Sequence, residues 1–161
     1  MDDSAAFTLS AAASADDLAA IRALFRAYAA SLPVDLGYQG FEDELAALPG
    51  AYAPPQGLLL LARGADGQPM GCGAFRAMKG GVGCEMKLVY VAPAARGIGL
   101  GIAMVEALMA QARAAGYSAI ALDTLPSMAE AHRLYEKLGF TPIVPYYDTP
   151  IEGTAFLGRA L

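Results

Sequence analysis

Six residues, Arg96-Gly97-Ile98-Gly99-Leu100-Gly101, constrain this chain more than any others. They follow an apolar run of strand length that ends at Val91, and they open a helical pattern from Leu100 to Ala115 with Gly116 behind it. A fold that holds them passes from a strand through a tight turn into a helix. Ser118 to Asp123 then reads as a short buried strand, so a strand–helix–strand unit occupies the middle of the chain. Such a turn aims several N–H groups at one spot, where the positive end of the helix dipole also lies. Glycines there let a ligand approach the backbone with no Cβ in the way. A diphosphate suits the place, and Arg96 would add charge or brace the loop. The same glycines would serve a plain tight turn, and their spacing alone does not separate the two readings.

Two other phosphate motifs are tested by spacing. A Walker loop ends in Gly-Lys-Ser/Thr, which is absent here. A dinucleotide fingerprint places glycines at its first, third and sixth positions; counted from Gly97 the sixth is Ile102, and from Gly99 it is Met104. Asp123 does close the next strand about 20 residues on, where a ribose-binding acid would stand, which keeps a nicotinamide-dependent oxidoreductase as a minor alternative.

The flanking segments supply the rest of an α+β (mixed α/β) fold. Phe7 to Ala12 reads as a first strand. Ser14, with Asp17 three positions on, opens a helix through a capping-box variant. Its Leu18, Ile21, Phe25, Tyr28 and Leu32 make an apolar stripe, and Pro33 ends it. Val34 to Gly40 is a loop and Phe41 to Leu48 a short helix. Gly57 to Arg63, Met70 to Met78 and Val82 to Val91 are strands parted by turns at Ala65-Asp66-Gly67 and Gly80-Gly81, which makes an antiparallel meander. Ser127 with Glu130 forms a capping box for a helix through Leu138, closed by Gly139. Phe140 to Val144 and Thr154 to Leu161 are the last strands.

Composition narrows the function classes. The 161 residues fit a single domain spanning 1–161. Hydrophobic residues make up 56% and charged residues 17%, which argues against disorder. The net charge of -5 argues against a nucleic-acid partner, which a basic face would bind. Cys72 and Cys84 have no metal or redox spacing and read as free thiols of a reducing cytoplasm. His132 is the single histidine, so a multi-histidine metal site is ruled out and no metal is expected. No uncharged apolar run reaches the ~18 residues of a membrane span, and Met1-Asp2-Asp3 does not begin a signal peptide. A cytoplasmic location with no membrane partner is expected.

With these residues in view, the chain resembles the GCN5-related N-acetyltransferase (GNAT) superfamily. Arg96, Gly99 and Gly101 match its coenzyme-A motif, Arg/Gln-x-x-Gly-x-Gly/Ala. The strand before it ends in Ala92-Pro93, as in many members. Ala131-His132-Arg133-Leu134-Tyr135-Glu136-Lys137-Leu138-Gly139-Phe140 is similar to the family's Ala-x-x-Leu-Tyr-x-x-x-Gly-Phe segment. The resemblance implies a twisted mixed sheet of about seven strands with about four helices, splayed between strands 4 and 5. It implies acetyl-coenzyme A as cosubstrate, with pantetheine along the backbone of Leu88, Val89, Tyr90 and Val91. The pyrophosphate would sit on the turn from Arg96 and Gly97 through Ile98, Gly99, Leu100 and Gly101 to Ile102. Two positions depart from the pattern. Met128 stands where many members carry Asn, with Ser127 beside it as a substitute contact, and Ile102 stands where many carry a basic residue.

The implied chemistry is acetyl transfer to a primary amine of a small molecule or peptide. By that resemblance Tyr135 is the general acid that protonates the departing sulfur. From the residues alone Tyr135 reads first as core, on an apolar face with Ala131, Leu134 and Leu138, and it is the resemblance that favours the catalytic role. Glu85, eleven positions before Arg96, stands where some members carry a catalytic glutamate. A general base, an anchor for the substrate ammonium and a salt bridge with Lys87 are all open to it. Period-two alternation puts Glu85, Lys87, Val89 and Val91 on one face. The resemblance implies a backbone N–H near Tyr90 or Val91 as oxyanion donor. Gln39, Phe41, Tyr146, Tyr147 and Asp148 are candidate walls of the acceptor pocket, where aromatic and acidic side chains suit a cation. A non-catalytic coenzyme-A-binding module is the second functional reading, and a homodimer through the C-terminal strands is compatible with the sequence.

Overall fold

A computed structural model describes residues 6–33, 40–78 and 83–161. The loop expected over Val34 to Gly40 and the turn at Gly80-Gly81 fall largely outside these residues, as does Gln39. Seven strands form one sheet among the described residues: β1 (Phe7–Ala11), β2 (Leu58–Gly64), β3 (Pro69–Ala77), β4 (Cys84–Val91), β5 (Ala119–Thr124), β6 (Thr141–Pro142) and β7 (Ala155–Ala160). The order is β1-β2-β3-β4-β5-β7-β6. Neighbours are antiparallel except β4 and β5, the parallel pair that brackets the glycine turn. The expected meander, β2-β3-β4, is present.

Helices cover both faces. α1 (Ala15–Ser31) and α2 (Phe41–Ala46) lie on one; α3 (Leu100–Ala114) and α4 (Ala129–Lys137) lie on the other. The cap at Ser14 forms as read: Asp17 N–H donates to Ser14 Oγ at 3.0 Å, and Ser14 N–H donates back to the Asp17 carboxylate. Ile21, Leu24 and Phe25 bury the inner face of α1. On the other side Leu100, Met104, Val105, Leu108 and Ala112 pack α3 onto the sheet. Full burial of each large apolar side chain contributes roughly 1.5–3 kcal/mol. The packing of β3 is close enough to require glycine at one position: a Cβ at Gly71 would stand 2.7 Å from the Tyr90 carbonyl oxygen.

Two local expectations are corrected. α4 starts at Ala129, and its N-cap is Met128 with no side-chain cap, so Ser127 and Glu130 do not form a capping box. A turn bonding Met128 N–H to the Leu125 carbonyl delays the helix by one residue, which takes Ser127 out of the capping position. The strand expected over Phe140 to Val144 shrinks to Thr141–Pro142: Phe140 N–H is spent on the Tyr135 carbonyl at the end of α4, and past the Ile143 bond to Phe156 the chain meets Pro145, which has no N–H to extend the ladder.

Candidate active site

The glycine turn lies at one mouth of a cleft of about 700 Å³. Gly97 and Gly99 have φ of 86° and 81°, a region costly for side chains with a Cβ. Gly99 is the N-cap of α3, and the first helical bond runs from Ala103 N–H to the Gly99 carbonyl. The N–H groups from Gly99 to Ile102 therefore have no partner inside the helix and carry the positive end of its dipole. Gly101 has an ordinary helical backbone, and a Cβ there would meet nothing in this chain closer than a Leu134 methyl at 3.5 Å. No internal contact demands glycine at 101; the open space it leaves faces the cleft. Arg96 braces the turn, its Nε–H donating to the Val91 carbonyl at 3.1 Å. Ile98 and Ile102 are exposed at the rim. This arrangement fits a diphosphate held by backbone amides.

The cleft runs from the turn past Val89, Tyr90 and Val91 to Ser127, Leu134 and Tyr135. There it meets a smaller cavity of about 40 Å³ between the two parallel strands. β4 and β5 pair only through Cys84 with Ile120 and Glu85 with Ala121. Beyond that they part, and the gap is lined by Met86 to Val89, Leu122 to Leu125, Tyr28, Met128 and Tyr135. This is the splay expected between strands 4 and 5.

A bulge sits at the point of parting. Cys72 pairs with Tyr90 and Ala74 with Lys87, so β4 carries one residue more than β3 over this stretch. Leu88 takes the strain, with φ of 60°. The expected shared face of Glu85, Lys87, Val89 and Val91 is thereby overturned. Glu85 and Lys87 face α2, whereas Val89 and Val91 pack on the α3 side with Met86; Leu88 and Tyr90 fill the core under α1.

Tyr135 lines both the cleft and the gap. It is 7% exposed and meets Phe140 edge to face at 5.6 Å. Burial pushes its phenol well above the ordinary range, with Tyr28 and Asp123 adding to the effect. It holds its proton throughout the neutral range. Tyr28, read above as part of a core stripe, reaches the same place; its hydroxyl contacts the Met128 sulfur at 3.9 Å and its ring meets Tyr90 at 5.8 Å. Met128 thus touches the gap through a sulfur contact where an amide was the family habit.

Charged groups gather on the α2 face beside the gap. Glu85 is 8% exposed and pairs with Arg76 Nε at 3.3 Å. Arg76 also reaches Glu44 at 3.6 Å and lies over the Tyr52 ring; Lys87 reaches Glu44 at 3.7 Å, and the Tyr52 hydroxyl donates to Glu44. The Lys87 partner is thus Glu44, not Glu85. Tyr147 donates to Asp123 Oδ2 at 2.5 Å, and Tyr146, Tyr147 and Phe156 form a mutual edge-on cluster. Phe41 is 6% exposed in the core under α2 rather than in a pocket wall, and Asp148 is exposed. Asp123, Arg76 and Glu44 were not read as parts of this site. Only tertiary packing joins them, although Asp123 at the end of a strand entering the gap was a signal.

Comparison with known proteins gives the same picture. The model of the acetyltransferase (GNAT) family matches residues 19–140. An uncharacterised N-acetyltransferase of Schizosaccharomyces pombe is 37% identical over 150 residues, 93% of this chain and 92% of that protein. An aminoglycoside N(6')-acetyltransferase of Stenotrophomonas maltophilia is 32% identical over 123 residues, 71% of this chain and 80% of that protein. A Salmonella typhimurium structure solved with its cofactor acetyl-CoA superposes with a TM-score of 0.70 at 22% identity, covering 96% of this chain and 94% of that one. A family match over most of the chain, a sheet parted between β4 and β5 and a glycine turn at the start of α3 lead to one conclusion: this chain belongs to the GNAT acetyltransferase family and is an acyltransferase.

Proposed function

We propose that the chain transfers the acetyl group of acetyl-coenzyme A directly to a primary amine of a small molecule or peptide. The observation that carries this is the continuity of the site: one cleft runs from the amides of the glycine turn to Tyr135, and Tyr135 also lines the gap that opens to the charged face. The diphosphate would rest on the turn from Arg96 to Ile102, and pantetheine would follow the backbone of Leu88 to Val91 with Ser127 opposite. The Salmonella structure with acetyl-CoA supports the cosubstrate, and the Stenotrophomonas relative supports an amine acceptor.

Direct transfer is favoured over an acyl-cysteine relay. A relay needs a thiolate, and both cysteines are buried, with Cys84 pushed up to about 12 by desolvation and Cys72 higher still. Tyr135 would give its proton to the departing sulfur. A backbone N–H near Tyr90 or Val91 would bind the developing oxyanion. For Glu85, the pair with Arg76 supports a structural role over that of base or anchor.

The test is thermal stability with acetyl-coenzyme A, followed by thiol release with added amines. Saturation at ~100 times the dissociation constant adds about 2.7 kcal/mol to a native state that alone binds the ligand. An unchanged melting temperature in a folded sample would sink the proposal. Stabilisation without thiol release from any amine would instead favour the non-catalytic coenzyme-A-binding module.

A further inference from the structure

Three carboxylates and two cations meet on the α2 face beside the gap, and the carboxylates are not equivalent. Glu44 is shared by Lys87, Arg76 and the Tyr52 hydroxyl. Glu85 is held by Arg76. Asp123 forms no ion pair with a lysine or arginine among the described residues. Its partner is the Tyr147 hydroxyl at 2.5 Å. It lines the gap with Tyr28, Lys87 and Tyr135, and Phe156 lies directly across from it on β7. An unsatisfied polar atom lies beside it. Thr124 is 4% exposed, its hydroxyl has no hydrogen-bond partner among the described residues, and it lines the same gap. The Tyr146 hydroxyl is directed to the Glu85 carboxylate. A buried polar atom is rarely left unpaired, and a ligand bearing N–H donors would satisfy the Thr124 hydroxyl.

We propose that Asp123 receives the ammonium group of the acceptor and takes its proton, that Tyr147 positions that carboxylate, and that the acceptor is a free cationic primary amine. The inference rests on the acetyltransferase reading above. A carboxylate in no direct ion pair, framed by tyrosine and phenylalanine rings, attracts an ammonium more strongly than one already in contact with a cation, even with Lys87 nearby.

An alkyl amine in neutral water is mostly ammonium, and it must lose a proton before its lone pair can attack. Asp123 takes that proton. The freed nitrogen forms an N–C bond to the thioester carbonyl carbon, and the C–S bond breaks. The sulfur leaves with the bonding pair and takes the Tyr135 proton; Tyr135 recovers one from the newly acylated nitrogen. The products are an amide and a thiol, and the proton on Asp123 passes to solvent.

Electrostatics fit the role. Burial holds the Asp123 carboxyl above its ordinary range; the Tyr147 hydrogen bond opposes this, Glu85 adds to it and Lys87 opposes it. The groups facing it are Glu85 and Lys87 from β4, Tyr135 from α4, Tyr28 from α1, and Tyr146 and Tyr147 from the segment before β7.

The experiment compares the wild type with Asp123→Asn, Tyr147→Phe and Glu85→Gln. Thiol release from acetyl-coenzyme A is followed across the neutral and mildly acidic range with tyramine, spermidine and lysine methyl ester as probe amines. Asparagine fills the same space without a charge that burial disfavours, so Asp123→Asn keeps its melting temperature and its stabilisation by acetyl-coenzyme A. Its kcat/KM for the amine falls about 10²-fold or more, and the acid limb of the pH profile disappears. Tyr147→Phe keeps the limb and moves it to higher pH, because the hydrogen bond that lowered the carboxyl is gone. Glu85→Gln moves it the other way, because a neighbouring negative charge is gone, and lowers transfer less than Asp123→Asn does. Activity of Asp123→Asn within about threefold of wild type, or an acid limb unmoved by Tyr147→Phe, overturns the assignment. Turnover of none of the three amines by a wild type that acetyl-coenzyme A still stabilises also overturns it, and leaves the coenzyme site standing. Absence of that stabilisation overturns the acetyltransferase reading itself.

Discussion

Arg96 donates its Nε–H to the carbonyl of Val91 at 3.1 Å, tying the end of β4 to the glycine turn. The bond is exposed, so its contribution to stability is small, about 0.5–1.5 kcal/mol. Its value is in holding the amides of the turn in register with the backbone that pantetheine would follow. Arg96→Ala should therefore raise KM for acetyl-coenzyme A about tenfold, a loss of ~1.4 kcal/mol in binding, with a melting temperature close to wild type without ligand. A fall in unliganded stability matching the loss in affinity would make Arg96 a plain structural residue.

Gly101 gives a prediction of opposite signs. Its backbone is helical, and an added Cβ would make only an ordinary contact with Leu134. Alanine in a helix is about 1 kcal/mol more favourable than glycine. Gly101→Ala should stabilise the free protein and weaken acetyl-coenzyme A binding. Thermal melts with and without ligand read both effects; equal stabilisation of the two samples would remove the turn from the binding site.

Tyr135→Phe removes one oxygen and preserves the packing against Phe140. If the phenol is the proton donor, kcat should fall about 10²-fold or more while KM for acetyl-coenzyme A changes little. Steady-state thiol release decides it, and a kcat within a few-fold of wild type would leave Tyr135 as core.

A pH dependence follows from the start of α1. The Arg63 hydrogen bond holds the Asp17 carboxyl below its ordinary value, helped by the amides of Ala13 and Ser14. A depressed carboxyl stabilises the fold above its unfolded value of about 3.9, and that stabilisation is lost as the pH falls through the folded value. The melting-temperature gap between wild type and Asp17→Asn should be constant near neutrality and close below about pH 4. A gap that persists in acid would trace the stability to the alanine-rich helix rather than to its charged cap.

What was legible in the sequence follows from distance along the chain. The cap at Ser14, the turn before α3 and the strand after it depend on neighbours, and they stand where the residues put them. The bulge was not legible. Leu88 carries no glycine to mark a positive φ, so strict alternation assigned Val89 and Val91 to the wrong side. Nor was the bond from Tyr147 to Asp123, which spans 24 positions and exists only because β5 and β7 are neighbours. Asp123 was noticed for its place at a strand end and given a ribose to hold. Ser127 failed as a cap because a turn after Leu125 moved the helix start by one residue.

The extra residue at Leu88 leaves one strand serving two masters. Ahead of it, Glu85 and Lys87 belong to the charged wall; behind it, Val89 and Val91 belong to the apolar layer beneath the glycine turn. On the proposed reading, substitutions in the first half would alter the acceptor side while the backbone along which the acyl donor would lie keeps its place. Loss of a single residue there would transpose the outer half of the strand, moving both valines into the core beneath α1 and turning Tyr90 out of it. The bulge thus lets one strand carry two side-chain registers, each answering to a different layer of the fold.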